Sequence, residues 1–434
     1  MRGRQVSFVG YRRAAAAFVA LGVVGGLAAT PAQAEQAGEH WSPLGIAASA
    51  ECSFPSNNVE STPWSIQRLL LDQLWGSDAK PDANGKKVEL NGSGVKVAVI
   101  DTGVDDTNPQ LQGKVDEGLF TLFDKSANKK PDGNAKTDPV GHGTKVAGII
   151  AARKVPGTGF VGIAPGASIV SYRQNDAQGN GDVKTLIDSI NDAIGRGVDV
   201  INISQDVRAT NEKGDFDHSE ELKAAVKAAE ERNIVVVASA GNDGHEIPTY
   251  PAAYETVLAV GASDRNNERA GFSQYGEFVD VAAPGVDMLS TVPKGGQCVD
   301  NGTSFSTPYV AGVAALLKQR HKDWTARQIR TRIMQTAQRT ERTSNRFVGW
   351  GVVDPVKAVR STAPPAEAPE DDPPVMLAQE PLSAQPAGLV ETQSDRDART
   401  ATYVLGLGGL LVGGLAGGSV VLRDRRRRED PDAM

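Results

Sequence analysis

Five histidines occur in the 434-residue chain, and one of them, His142, stands in Gly141-His142-Gly143-Thr144 at the start of a helical pattern. Imidazole takes and returns a proton near neutrality, and glycines on both sides would let a substrate backbone approach the ring. Ser304 stands in Asn301-Gly302-Thr303-Ser304-Phe305-Ser306-Thr307-Pro308, directly before the apolar run Tyr309 to Lys318, with Pro308 expected in the first turn. A hydroxyl at a helix N-terminus lies beside free backbone N–H groups, which favour a developing oxyanion. Asp101 closes the apolar run Lys96 to Ile100, and Asn242 ends Ser239-Ala240-Gly241-Asn242. Taken singly, each has an ordinary use: Asp101 and Asn242 as turn residues, His142 and Ser304 as helix caps. All four at strand and helix ends, in this order, point instead to nucleophilic chemistry by an assisted serine, since an unaided hydroxyl is a poor nucleophile.

The elements that must position them alternate. Lys96 to Ile100, Ile169 to Tyr172, Val198 to Ile203 and Ile234 to Ala238 read as short buried strands. Helical patterns fall at Thr144 to about Arg153, near 183–195 and near 219–232. Short β-branched runs between helices of ten or more residues predict an α/β fold with a parallel sheet covered on both faces. Ligands in such sheets bind beyond the carboxyl ends of the strands. Asp101, the Ser204 region and Ser239 to Asn242 therefore fall together by topology.

Over about residues 90–340 the chain resembles the subtilisin-like serine proteases, the subtilases, through Asp101-Thr102-Gly103, His142-Gly143-Thr144, Ala240-Gly241-Asn242 and Gly302-Thr303-Ser304. The resemblance implies a three-layer subtilisin-like fold. It also implies Ser304 as nucleophile, His142 as general base and then acid, Asp101 as the carboxylate fixing its tautomer, and Asn242 as oxyanion donor. A lipase-type hydrolase fails twice: Ser306 stands where that fold wants glycine, and the order of the acid, histidine and serine is reversed. Substrate contacts are expected at Ser204, Gln205 and Gly241. Subtilases commonly show Ser, Leu, Gly as a substrate ledge where Ser204, Gln205 and Asp206 stand. With Asp215, Asp217, Glu220 and Glu221 following, the rim reads as acidic, suited to basic or small polar substrate residues. No cofactor is implied, and no D-x-[DN]-x-[DN]-G calcium pattern or other metal site is legible.

The two ends carry the topology. Arg2, Arg4, Arg12 and Arg13, an apolar run from Ala14 to Ala29 and Pro31-Ala32-Gln33-Ala34 read as a secretory signal over 1–34. Residues 401–422 read as a membrane span, and Arg423, Arg425, Arg426, Arg427 and Arg428 begin a basic cytoplasmic tail over 423–434. Both features place the part between them outside the cell membrane. Residues 361–400, rich in Pro, Ala, Glu and Ser, are expected to be a flexible linker. That leaves a catalytic domain at 90–360 and an extension at 35–89.

Signal, extension with Pro63-Trp64 and Leu74-Trp75, subtilase core, Pro-rich linker, span and basic tail together resemble the mycosins, membrane-anchored subtilases of type VII secretion. That resemblance implies clipping of protein substrates and a part in stabilising the secretion membrane complex. The alternatives are a mainly structural subunit of that complex and a general degradative protease. Outside the cell Cys52 has only Cys298 as a partner, and a bridge between them would hold the extension beside Ser304. Many subtilases carry a cleaved folding propeptide at this place, whereas the resemblance to mycosins implies a retained extension; the extension is expected to stay attached.

Composition bounds the rest. With 46 Lys+Arg against 53 Asp+Glu, the formal net charge is −7, which is not a nucleic-acid binder's balance. At 40% hydrophobic residues with 47 Gly and 24 Pro, the chain is neither collagen-like nor wholly disordered.

Overall fold

The computed structural model describes residues 43–44, 52–76, 89–120, 131–176, 179, 181–209, 215–362, 364–374 and 391–429. The expected signal at 1–34, the rest of the extension, linker residues 375–390 and the last five residues lie outside these. By its contacts the chain divides into two units, Met1–Pro373 and Pro374–Met434.

The first unit is built on seven parallel strands: β1 Lys96–Asp101, β2 Val115–Glu117, β3 Ser168–Arg173, β4 Val200–Ile203, β5 Val235–Ser239, β6 Val257–Ser263 and β7 Val281–Pro284. Their order across the sheet is β7-β6-β5-β4-β1-β3-β2. A hairpin of β8 Met288–Thr291 and β9 Gln297–Asp300 leads into the Ser304 segment. The helices are α1 His142–Ala151, α2 Val183–Gly195, α3 Ser219–Glu231, α4 Thr303–Arg320 and α5 Ala326–Thr336.

Successive residues of a strand face opposite sides of the sheet, and both sides are covered. Val97 and Val99 of β1 pack with Val146, Ile150 and Val310, from α1 and α4. Ala98 and Ile100 pack with Leu186, Ile190 and Val226, from α2 and α3. This is why the strands read as continuous apolar runs, without alternation.

The extension contributes to the first of these cores. Ile66, Leu69 and Leu74 are buried in it. The indole N–H groups of Trp64 and Trp75 donate to the carbonyls of Val286 at 3.1 Å and Ile163 at 2.9 Å. Farther upstream, the backbone of Pro43–Leu44 pairs antiparallel with Gly181–Asp182.

Three expectations are corrected. α1 begins at His142 and not at Thr144, because Asp138 accepts the backbone N–H groups of Gly141 and Thr144 and so caps the earlier turn. α4 begins at Thr303, so Pro308 lies inside the helix, in its second turn. Residues 367–372 are not loose. Gln335 exchanges hydrogen bonds with the Glu370 backbone, and Arg339 forks the Asp372 carboxylate at 3.0 and 2.7 Å. Composition showed that this segment lacks an apolar face, but not that the polar side of α5 offers it partners.

In the second unit a single helix, Gln393–Glu429, is the described element. Its most apolar window has mean hydropathy 1.9, which with its length suits a membrane span. The helix takes in residues 393–400, read above as linker.

Candidate active site

Asp101 ends β1 and is fully buried. Its Oδ1 accepts from the backbone N–H of Thr102 at 2.7 Å and from His142 Nδ1 at 2.8 Å. With Nδ1 donating to a carboxylate, the other ring nitrogen, Nε2, is left as the acceptor. His142 is only 1% exposed, and its ring centroid lies 5.4 Å from that of Phe305, the residue after Ser304.

The glycines of the two motifs serve the fold. A Cβ on Gly143 would overlap the Gly103 carbonyl oxygen, and one on Gly103 the Thr137 carbonyl oxygen. The Asp-Thr-Gly and His-Gly-Thr turns therefore pack backbone against backbone, which holds the carboxylate and the imidazole together. A Cβ on Gly141 would overlap the tip of the Phe54 ring. The expectation that Gly141 and Gly143 leave room for substrate is corrected: that space is filled by this chain.

Asp138 was not singled out from the sequence, yet it ties the same two turns. Its carboxylate accepts from Thr102 Oγ1 at 2.7 Å, from the N–H groups of Gly141 and Thr144 at 2.8 Å each, and from Thr144 Oγ1 at 2.6 Å. Burial pushes its carboxyl above the usual range, and these hydrogen bonds pull it back. An acidic residue just before a helical pattern was the available signal.

Ser304 is 4% exposed in the first turn of α4. Its hydroxyl donates to the Ser204 carbonyl at 3.0 Å, and no hydrogen bond joins it to His142 among the described residues. A serine hydroxyl reorients by rotation about χ1, and catalytic hydrogen bonds are often unmade in unliganded sites. Ser204 follows β4, and its own hydroxyl donates to the Ser304 carbonyl at 2.9 Å while accepting from Asn202 Nδ2 at 2.9 Å.

Asn242 follows β5. Its Oδ1 accepts from the backbone N–H of Thr303 at 2.8 Å and from Thr303 Oγ1 at 3.0 Å, which orients the amide beside the start of α4. Gly241, at φ +102°, leaves no room for a Cβ beside Gln274, which in turn donates to the Ile247 carbonyl at 2.7 Å. Gln274 thus props the turn, and nothing in its sequence setting marked it.

The side chain of Gln205 turns inward. It is buried, donates to the Ile100 carbonyl at 3.2 Å and accepts from Gln174 Nε2, so it braces β1 from within. Asp206, next along, is half-buried. Desolvation raises its carboxyl to about 6 against the pull of Arg208, which pairs with Asp243.

Beneath the site, Lys145 on α1 and Asp300 at the end of β9 form a buried ion pair at 2.7 Å. Cys52 and Cys298 form the disulfide, with Cα atoms 6.3 Å apart. No cluster of His, Cys, Asp or Glu suited to hold a metal ion occurs among the described residues.

A carboxylate–imidazole pair and a serine at a helix start, at the carboxyl ends of a parallel sheet, define a subtilisin-like serine endopeptidase. The model of the Subtilase family, peptidase S8, matches residues 92–351, and the chain belongs to that family. Subtilisin Savinase of Lederbergia lenta is 38% identical over 302 residues, which cover 70% of this chain and all of that one. Subtilisin E of Bacillus subtilis strain 168 is 40% identical over 283 residues, 64% of this chain and 67% of that one. Among solved structures, MycP1 from Mycobacterium smegmatis superposes with TM-score 0.60 at 29% identity, covering 79% of this chain and 93% of that one. The MycP3 protease from the type VII (ESX-3) secretion system gives TM-score 0.59 at 28% identity over 74% of this chain and 92% of that one. Mycosins are thus structural neighbours of this protease, and subtilisins are its sequence relatives.

Proposed function

We propose that this protease is anchored in the cell membrane by its C-terminal helix, with its catalytic domain outside the cytoplasm. There it cuts protein substrates of a type VII secretion system and helps to stabilise the membrane complex. In this reading Ser304 Oγ attacks the scissile carbonyl carbon while His142 Nε2 takes its proton. Asp101 holds Nδ1–H and stabilises the imidazolium. The oxyanion accepts from Asn242 Nδ2 and from the free Ser304 N–H at the helix start. Collapse breaks the C–N bond, His142 returns the proton to the leaving amine, and water, deprotonated by His142, then releases the acyl group from Ser304. The observation that carries this reading is the buried 2.8 Å pair of His142 and Asp101, beside the segment that bears Ser304.

The apolar C-terminal helix and the likeness to MycP1 and MycP3 support the membrane and secretion parts of the reading. Retention of the extension is supported by Leu69 and Leu74, which would leave a hole in the core if removed. Labelling with a serine-directed organophosphate tests the nucleophile without any substrate. Wild-type protein should label at Ser304, and Ser304→Ala should neither label nor cut. Failure of folded wild-type protein to label would refute the triad. Secretion complexes that form normally with Ser304→Ala while substrate stays uncut would separate scaffolding from catalysis. Indiscriminate cutting of unfolded proteins would favour a degradative role. A mature protein whose non-reduced mass lacks the extension would contradict retention.

A further inference from the structure

The extension reaches Gly141, the residue before the catalytic histidine. From the disulfide at Cys52 the chain runs across the β8–β9 hairpin: the Ser56 N–H donates to the Gly295 carbonyl at 3.0 Å, and the Gln297 N–H to the Asn57 carbonyl at 3.0 Å. The Val59 N–H donates to Gln297 Oε1 at 2.7 Å, and its carbonyl accepts from the Gly159 N–H at 2.8 Å. Phe54, between the disulfide and this ladder, is thereby fixed in place. Its ring tip sits on Gly141, the residue before His142, where only glycine leaves room for it.

Phe54 is half-buried, so part of it remains accessible, while His142 itself is almost wholly covered. A peptide reacting at Ser304 must present a side chain close to the His142 imidazole. An aromatic wall held by a covalent bond and four backbone hydrogen bonds cannot retreat from that side chain. We propose that Phe54 forms one wall of the subsite beside Gly141 and His142 and restricts it to small substrate side chains. This rests on the protease mechanism proposed above and adds a specificity determinant supplied by the N-terminal extension.

The test is a set of peptides varied one position at a time around the scissile bond, cleaved by the full-length wild type, by Phe54→Ala and by Phe54→Leu. At one position the wild type should cut peptides with Ala or Ser far better than those with Leu or Phe. Phe54→Ala should raise kcat/KM for the large residues there by about tenfold or more relative to Ala, the scale on which a pocket senses lost methylenes. Phe54→Leu should shift the same position in the same direction, by less, and it decides the matter if Phe54→Ala does not fold. An unchanged preference in variants that still label at Ser304 would overturn the proposal. So would a uniform change across all positions, which would mean general loosening. If the wild type itself does not label, it is the protease mechanism that fails, and the two failures are distinct.

Discussion

Ser204 and Ser304 are joined in both directions: the Ser304 hydroxyl donates to the Ser204 carbonyl at 3.0 Å, and the Ser204 hydroxyl donates to the Ser304 carbonyl at 2.9 Å. The second bond has a cause in the helix. The α-helical partner of the Ser304 carbonyl would be the N–H of residue 308, and that residue is proline. Ser204 supplies the donor that the helix lacks.

Replacing Ser204 with alanine should therefore strand a buried carbonyl and cost about 1–3 kcal/mol of stability. Turnover should also fall, because the start of α4 is no longer tied to β4. Adding Pro308→Ala should restore a helical N–H and recover most of the lost stability. Urea denaturation of the two single variants and the double variant checks this, and additive losses would show that the two residues are not coupled.

On the proposed mechanism, Asn242→Ala removes a side-chain donor to the oxyanion. It should lower kcat by about 10²–10³ with a much smaller change in KM, as the interaction is made in the transition state. Steady-state kinetics on one peptide decide it. A loss confined to KM would assign Asn242 to ground-state binding.

Lys145→Met leaves Asp300 as a buried carboxylate without its ammonium partner, and should destabilise the fold by about 3–5 kcal/mol. Adding Asp300→Asn removes that charge while keeping an acceptor for the Asn301 N–H, which Asp300 now binds at 2.9 Å. The double variant should be more stable than Lys145→Met alone. If it is less stable, the Asp300 carboxylate is stabilised by contacts other than Lys145.

The pH dependence of stability has a defined sign. Asp280 lies just before β7, and burial raises its carboxyl to about 6, opposed by the Ala259 N–H and by Arg330. The unfolded chain would lose that proton near the ordinary aspartate value of about 3.9. Between these values the folded state binds more protons, so this group's contribution falls as pH rises from about 4 to 6 and is constant above. Asp280→Asn should be more stable than wild type at pH 7–8 and show a shallower decline of thermal midpoint across that window. Some slope should persist, because Asp206 is also raised to about 6. Identical profiles would mean that Asp280 titrates normally.

The sequence disclosed the scaffold well for a physical reason. Strands buried on both faces leave unbroken apolar runs, so β1, β3, β4 and β5 and the residues that follow them were visible, and with them Asp101, Ser204 and Asn242. What stayed hidden depends on side-chain direction and long-range pairing. Gln205 lies on the expected ledge, but its amide turns inward to Ile100 and Gln174. Lys145 and Gln274 are unremarkable in their local sequence and acquire their parts only when distant turns meet, and Asp138 carried no local signal beyond its place before a helix. The docking of residues 367–372 was missed because composition reports the absence of an apolar face and not the presence of partners.

The bridge from Cys52 to Cys298 spans 246 positions of chain, and this alters what a backbone cut would accomplish. Hydrolysis anywhere between Gly76 and Glu89 would yield two polypeptides that still travel as one molecule. Phe54 would keep its seat on Gly141 after such a nick, and the amino-terminal fragment would depart only where a reductant reaches the sulfurs. Trimming and release would thus be separate events for this enzyme, and the second would depend on the redox state of its surroundings.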